Sequence, residues 1–294
     1  MAIFGQLRAL FGRDAVSWWD RSYFFDWVFV FAIWVLGYLA SNIPPFEREF
    51  KLHDSAIDHH HHHHSQISGV VNNVIAVFLP LTTVIVFGTF RRSLLDIHHG
   101  AIAIMGSRGL THLLTEFLKN TVGRLRPDFL ARCKWDKALK ECTGHIENVL
   151  DGRRSFPSGH SASAFTGMTF LSLYLAGQTA AWCFHAPLPP SSWTSSRAGR
   201  LSITIAPMIW AVYVAITRLE DYRHHKEDVI VGSLIGISMA TIFYLMFWPN
   251  PFYASNFQQG SPTEPRLAYT NDTYRDRNGA FELARFEVDE SEAV

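Results

Sequence analysis

Apolar residues in this chain collect into long uninterrupted runs, and most charged residues lie between those runs. Each run approaches the roughly 20 residues that a helix needs to cross about 30 Å of hydrocarbon. The runs are continuous rather than alternating, which favours membrane-spanning helices over the strands of a barrel. Six spans are predicted, at residues 24–42, 70–90, 97–118, 161–184, 201–217 and 229–248. The predicted fold is therefore all-α, a polytopic membrane protein with six transmembrane helices in one bundle.

The same pattern divides the chain into three parts. Residues 1–23 are predicted to be a cytosolic N-terminal segment, and residues 24–249 the transmembrane domain. The first apolar run lacks a clear small-residue cleavage site, so it is interpreted as a retained helix rather than a signal peptide. Residues 250–294 are polar with scattered charges and few large aliphatic side chains, which is typical of a disordered tail.

Composition narrows the possible partners. Hydrophobic residues make up 48% of the chain and the formal net charge is zero, so nothing indicates a nucleic-acid partner. The three cysteines are too few for a disulfide scaffold. Cys133 and Cys142 share one polar loop and could form a disulfide if that loop faces an oxidising compartment. The alternative is two free thiols.

Two polar features of the sequence are not assigned a catalytic role. Arg108, His112 and Glu116 stand at steps of four in the third predicted span, and therefore on one helical face. A buried network that holds helices together is favoured there over a catalytic role. The run of histidines at 59–64 could bind metal in vitro, but it is interpreted as an engineered or low-complexity segment and excluded from the functional argument.

Three polar clusters stand at the ends of predicted spans. They occupy residues 119–127, 156–160 and 217–228. Counting membrane crossings from the N-terminus places all three clusters on the same side, opposite the N-terminus. Six helices could therefore bring them together into one site.

The clusters carry the groups that bind a tetrahedral oxyanion. Lys119, Arg126 and Arg218 are three fixed cations, and the planar fork of arginine matches phosphate oxygens. Ser158 and Gly159 precede a predicted helix, whose first backbone N–H groups favour anions. A glycine there also allows the backbone to approach a ligand closely.

The two histidines His160 and His224 could supply the remaining catalytic groups. His224 and Asp228 are four residues apart and share a face if helical, so the carboxylate would orient the imidazole. His160 comes from another loop and could protonate a leaving alkoxide. His225 has no such spacing and is expected to face elsewhere.

Together the clusters resemble the three-part signature of the type 2 phosphatidic acid phosphatase family, the lipid phosphate phosphatases. That signature is K-x6-R-P, P-S-G-H and S-R-x5-H-x3-D. All three spacings match, and the single departure is Thr217 in place of the usual serine, which keeps the hydroxyl. The resemblance covers most of the membrane region and leaves out the tail. The chain is most similar to fungal members of the diacylglycerol pyrophosphate phosphatase type.

The resemblance implies a role for each residue. His224 would be the nucleophile that forms a phosphohistidine, Asp228 its partner, and His160 the acid and base. Phosphate would be bound by Lys119, Arg126, Ser158, Gly159 and Arg218. The family needs no magnesium or other cofactor. Its substrates include phosphatidic acid, lysophosphatidic acid and diacylglycerol pyrophosphate.

Alternatives to hydrolysis are a lipid phosphotransferase on the same site, a haloperoxidase-like vanadate binder and a non-enzymatic anion transporter. The family's usual eukaryotic arrangement is a luminal or extracellular site with cytosolic termini, in an endomembrane (vacuole, Golgi or ER) or the plasma membrane. More Lys and Arg residues lie on the side of the clusters than on the opposite side, which by the positive-inside rule would place the site in the cytosol. Several of those cations are needed for phosphate, however, so the count is ambiguous.

Overall fold

The computed structural model describes residues 10–12, 16–62, 64–186, 195–257 and 263–269. Within these residues the chain is mostly helical. The long helices are α1 (Arg21–Ser41), α2 (Gly69–Phe90), α3 (Leu94–Val122), α6 (Gly159–Thr179), α7 (Arg197–Glu220) and α8 (Lys226–Phe247). The connection between α3 and α6 holds the short helices α4 (Phe129–Cys133) and α5 (Ile146–Gly152) and the antiparallel strands β1 (Trp135–Asp136) and β2 (Glu141–Cys142). A 3-10 turn follows α8 at Ala254–Phe257.

Each predicted span overlaps a long helix, although most bounds differ by a few residues and the largest difference is at the end of the fourth span. There α6 ends at Thr179, because Ala180 takes a left-handed conformation with φ of 53° and caps the helix. In the part of the chain that the structure describes, four helices (α1, α2, α7 and α8) are long and apolar enough to cross a membrane by length and composition alone. The other two, α3 and α6, carry many small, hydroxylated or ionisable residues, most of which face other helices.

Helix α6 forms the centre of the bundle. It packs against α2, α3, α7 and α8, and nearly all of its residues are buried. Small residues allow the close approach of α8, where Gly232, Gly236 and Ala240 recur at steps of four and are all buried. A β-carbon at Gly236 would lie 2.5 Å from the carbonyl oxygen of Ala162. Small residues at such intervals are the usual means by which helices pack closely in membranes.

Polar contacts on the third predicted span link helices, as expected. The buried Arg108 donates to the side-chain oxygen of Asn73 on α2 (3.0 Å), which also accepts from Ser163 on α6 (2.7 Å). Glu116 pairs instead with cations at one end of the bundle, described below.

Part of the segment assigned to a polar tail packs on the bundle. The backbone N–H of Thr263 donates to Gly177 on α6 (3.2 Å), and that of Arg266 donates to Phe247 on α8 (2.7 Å). The N–H of Ala268 donates to the hydroxyl of Tyr23 on α1 (3.2 Å). These backbone contacts need no apolar side chains, which is why composition did not indicate them. Residues 258–262 and 270–294 of the predicted tail lie outside the described residues, as do 1–9 and 13–15 of the N-terminal segment.

Replacement of Gly236 by alanine tests the close packing of α6 and α8. We expect Gly236→Ala to destabilise the fold by about 1–3 kcal/mol, because the added methyl overlaps backbone of α6 that cannot move independently. The matched control is Gly199→Ala at the exposed start of α7, where the nearest side-chain atom is 3.4 Å away. Thermal unfolding in detergent measures both, and equal midpoints for the two variants would contradict the packing argument.

Candidate active site

The first cluster is positioned by the end of α3. Lys119 lies in the last turn, and Gly123 ends the helix in a left-handed conformation with φ of 58°. A β-carbon at Gly123 would lie 2.0 Å from the carbonyl oxygen of Phe46, so only glycine fits. The turn at Gly123 directs the chain into the segment that carries Arg124 and Arg126.

The second cluster begins α6. Ser158 is the N-cap, and its hydroxyl oxygen accepts from the N–H of Ser161 (3.4 Å). The N–H groups of Gly159 and His160 donate to no protein group among the described residues, as is usual for the first turn of a helix. A β-carbon at Gly159 would lie 2.9 Å from Nζ of Lys119, so the first two clusters are in direct contact.

The third cluster joins α7 to α8. Arg218 is 1% exposed, and its guanidinium donates to the Thr217 hydroxyl (3.1 Å) and to the carboxylate of Asp221 (2.9 Å). The Thr217 hydroxyl donates in turn to the carbonyl of Val214 (2.8 Å). Threonine thus supplies the same acceptor that the family's usual serine would.

Asp228 connects the three clusters. Its fully buried carboxylate accepts from Arg124 (2.7 Å), from the hydroxyl of Ser155 (2.6 Å) and from the N–H of His225 (3.0 Å). Its carbonyl oxygen accepts from the N–H of Ser158 (2.9 Å). Groups from the loop after α3, the loop before α6 and the start of α8 therefore meet at one residue.

The orientation of His224 depends on Ser155. Nδ1 of the buried His224 lies 2.7 Å from the carbonyl oxygen of Ser155, which can only accept, so Nδ1 carries the proton. The lone pair of the neutral ring is then on Nε2. Asp228 Oδ2 is 3.9 Å from Nδ1, within ion-pair range but beyond a hydrogen bond. The expected orientation by Asp228 therefore acts through Ser155, a residue outside the motif.

Burial keeps the imidazole of His224 neutral. Loss of solvent lowers the pKa of His224 well below its ordinary value, and the charges of Arg126 and Lys119 lower it further. The hydrogen bond to the Ser155 carbonyl opposes this effect only in part. The ring of His224 is consequently neutral at neutral pH, with its proton on Nδ1 and its lone pair on Nε2.

His160 faces the same cationic region. Its backbone carbonyl accepts from the side chain of Asn72 on α2 (3.0 Å), which fixes the first turn of α6. Its Nε2 is buried and has no partner among the described residues. Lys119, Arg126 and Arg218 are all close enough to act on the ring electrostatically. His160 is thus separate from Asp228 and available to a ligand.

Two carboxylates hold the cations in place. Glu116 pairs with Lys119 (2.6 Å) and with Arg154. Asp151 on α5 pairs with Arg126 (2.7 Å) and with Arg132 (2.7 Å). Sequence spacing did not indicate Asp151 or Ser155, because each contacts a partner brought close only by the fold.

The histidine-rich loop between α1 and α2, which was excluded from the functional argument on sequence grounds, lies close to the site. His61 Nδ1 contacts the Asp128 carboxylate (2.6 Å), and the His59 ring stacks on Tyr222 with centroids 4.5 Å apart. His225, expected to face elsewhere, contacts the Asp228 carboxylate with Nδ1 (3.3 Å). Tertiary contacts, rather than any local pattern, place these rings.

A disulfide closes the small hairpin beside the site. Cys133 and Cys142 are bonded, with their Cα atoms 4.7 Å apart. Cys133 is buried against Phe129 and Val149 of the same loop region. The bond thereby stabilises the connection between α3 and α6.

Comparison with known proteins decides the family. A family model described as the PAP2 superfamily matches residues 100–252, a range that includes all three clusters. The chain belongs to this family. The resemblance seen in the motifs is thereby confirmed. Together with the four apolar helices, membership indicates a multi-pass membrane protein.

Several curated proteins are similar over most of the chain. Lipid phosphate phosphatase 2 of Arabidopsis thaliana is 33% identical over 79% of this chain and 79% of its own length. Diacylglycerol pyrophosphate phosphatase 1 of Saccharomyces cerevisiae is 34% identical over 76% of this chain and 78% of its own length. Phospholipid phosphatase 2 of Mus musculus is 28% identical over 81% of this chain and 90% of its own length. No solved structure matches the chain.

The two acidic residues that bind Arg124 provide a matched test of the site's organisation. We expect Asp228→Asn to destabilise the fold by about 3 kcal/mol, because it leaves Arg124 without its buried partner. Glu227 binds the same guanidinium (3.0 Å) but its side chain is 65% exposed, so Glu227→Gln should leave the unfolding midpoint unchanged. Equal effects of the two substitutions, measured by thermal unfolding in detergent, would contradict the assignment of Asp228 as the buried centre.

Proposed function

We propose that this protein is an integral membrane lipid phosphate phosphatase. Its substrates would be phosphate monoesters such as phosphatidic acid and lysophosphatidic acid, or diacylglycerol pyrophosphate, in keeping with the names of its relatives. The observation that carries the proposal is the neutral His224, whose Nδ1 is bonded to Ser155 while Lys119, Arg126 and His160 act on it from nearby. A nucleophile in a pocket of cations suits an anionic electrophile.

Phosphate binding would use both side chains and backbone. Lys119, Arg126 and Arg218 supply the positive charge. The N–H groups of Gly159 and His160 at the start of α6, which Ser158 caps, supply donors and the positive end of a helix of 21 residues. These groups are fixed before substrate arrives, so they would stabilise charge on the phosphoryl oxygens with little reorganisation.

The reaction would proceed in two steps. Nε2 of His224 attacks phosphorus, and His160 donates a proton to the leaving lipid alkoxide. The negative charge of the bound phosphate would offset the cations around His160 and so allow it to carry that proton. His160, now unprotonated, removes a proton from water, which attacks the phosphohistidine and releases inorganic phosphate. Asp228 and Ser155 act throughout as positioning residues for His224.

The proposed mechanism requires no metal ion. The three cations would take the part that a divalent metal plays in many phosphatases, which is to neutralise phosphoryl oxygens. Positive charge at the site would also repel a divalent cation in the absence of phosphate.

All six long helices would cross the membrane, with the site on the luminal or extracellular side. The more polar α3 and α6 can cross because surrounding helices shield them from lipid. The disulfide between Cys133 and Cys142 lies in the same loop region as the second cluster and supports an oxidising compartment. The excess of Lys and Arg on that side is accounted for in part by ion pairs within the site, such as Arg126 with Asp151.

Histidine variants test the proposal directly. We expect His224→Ala and His160→Ala each to reduce phosphate release from phosphatidic acid by at least roughly a thousandfold, since each removes a reacting group. The matched control is His185→Ala at the opposite end of α6, which is exposed and should retain activity. Assays with purified protein in detergent micelles containing EDTA also test independence of metal.

Near-wild-type hydrolysis by either site variant would overturn the proposed roles. Strict dependence on added magnesium would overturn the metal-free mechanism. Formation of a new phospholipid without free phosphate would indicate a phosphotransferase instead.

A further inference from the structure

Arg223 differs from the other arginines of the site in its ion pairing. It lies in the loop between α7 and α8, where its N–H donates to the carbonyl of Arg218 (3.1 Å). Every other described arginine within 119–160 and 217–228 has a carboxylate within 4.0 Å: Arg124, Arg126, Arg132, Arg153, Arg154 and Arg218. Among the described residues, Arg223 has none.

The guanidinium of Arg223 is nevertheless partly removed from water. One terminal nitrogen donates to the backbone carbonyl of His62, while Nε is buried and has no partner among the described residues. Burial lowers the pKa of Arg223, and the charge of Arg132 lowers it further, whereas the carboxylates of Asp128, Asp151 and Asp221, none of them within 4.0 Å, raise it. A partly buried cation with no anion in direct contact costs free energy, and a bound anion would reduce that cost.

The position of Arg223 relative to the two histidines indicates where such an anion would lie. The charge of Arg223 acts on the ring of His160, as well as on Arg126 and Arg218. The main charges that act on His224 are instead those of Arg126, His160 and Lys119, so Arg223 lies nearer to His160 than to the nucleophile. In the proposed mechanism His160 stands on the side of the leaving group. A second anionic group next to Arg223 would therefore be part of the leaving group rather than of the transferred phosphoryl.

We propose that Arg223 binds the inner phosphate of a lipid diphosphate, so that the site favours diphosphate lipids over monoesters. This inference rests on the proposed function. The loop at 56–62 would form the rim of this subsite, because the His62 carbonyl holds the Arg223 side chain and His225 Nε2 contacts the Ala56 carbonyl (3.2 Å).

The chemistry of a diphosphate fits this arrangement. Nε2 of His224 forms a bond to the outer phosphorus, and the bond from that phosphorus to the bridging oxygen breaks. The electron pair leaves with the inner phosphate, whose added negative charge Arg223 stabilises. Water then cleaves the phosphohistidine, so lipid diphosphate and water give lipid phosphate and inorganic phosphate. A phosphate monoester leaving group, with a second pKa of about 6, needs protonation far less than an alkoxide does.

Substitution of Arg223 tests the subsite through substrate preference. The measurement is kcat/KM for diacylglycerol pyrophosphate and for phosphatidic acid of the same acyl chains, in EDTA. We expect Arg223→Gln to lower the diphosphate-to-monoester ratio of kcat/KM by roughly ten- to a hundredfold, because one charged hydrogen-bonding group is lost. Arg223→Lys, which keeps the charge, should retain part of the preference.

The matched control is Arg48→Gln. Arg48 is exposed, precedes the histidine-rich loop and also donates to a backbone carbonyl, that of Val122 (2.9 Å), so its loss should leave the ratio unchanged. An unchanged ratio in Arg223→Gln, or an equal fall for both lipids, would overturn the subsite.

A binding measurement separates this inference from the proposed function. In the His224→Ala background, inorganic pyrophosphate should protect the protein from thermal unfolding at lower concentration than inorganic phosphate does. Adding Arg223→Gln should abolish that difference. Failure of wild-type protein to hydrolyse either lipid would refute the proposed function, whereas equal protection by the two anions in the His224→Ala background would refute the subsite.

Discussion

The burial of one carboxylate, that of Asp228, is the constraint on which the site depends. Removing a charged carboxylate from water costs free energy. Here that cost is offset by hydrogen bonds from Arg124, from the Ser155 hydroxyl and from the N–H of His225. These donors come from different loops, so satisfying the carboxylate also fixes the loops relative to one another. The hydrogen bond from the Ser155 hydroxyl to Asp228 also positions the Ser155 backbone carbonyl against His224. In the proposed mechanism, this carbonyl determines which ring nitrogen attacks phosphorus.

The charged groups keep their positions because the helices beneath them are closely packed. Helix α6 carries Ser158 and His160 at its start and meets α8 through glycines that leave no space for a side chain. In the same way Gly123 allows the chain after α3 to turn beneath Phe46. Each of the three cations proposed to bind phosphate also has a carboxylate partner, Glu116 for Lys119, Asp151 for Arg126 and Asp221 for Arg218, which limits its movement. Packing in the membrane region and charge balance at its surface thus act together.

The sequence predicted the parts of this arrangement that leave a local pattern. Continuous apolar runs located the long helices, and the crossing count led to the expectation that the three clusters meet, as their contacts show. Contacts between distant positions left no such pattern. Nothing near Ser155 indicates that its carbonyl meets His224, and Asp151 lies far in sequence from Arg126. The packed segment at 263–269 is held largely by backbone hydrogen bonds, which composition does not encode.

The central claim is that the Ser155 carbonyl holds the proton of His224 on Nδ1 and leaves Nε2 to attack phosphorus. Its most direct test is to quench the enzyme in alkali during turnover of radiolabelled phosphatidic acid, and to locate the label by peptide mapping and phosphorus NMR. The predicted result is a phosphoryl group on Nε2 of His224. A phosphoryl group on Nδ1, on His160 or on any other residue would contradict it.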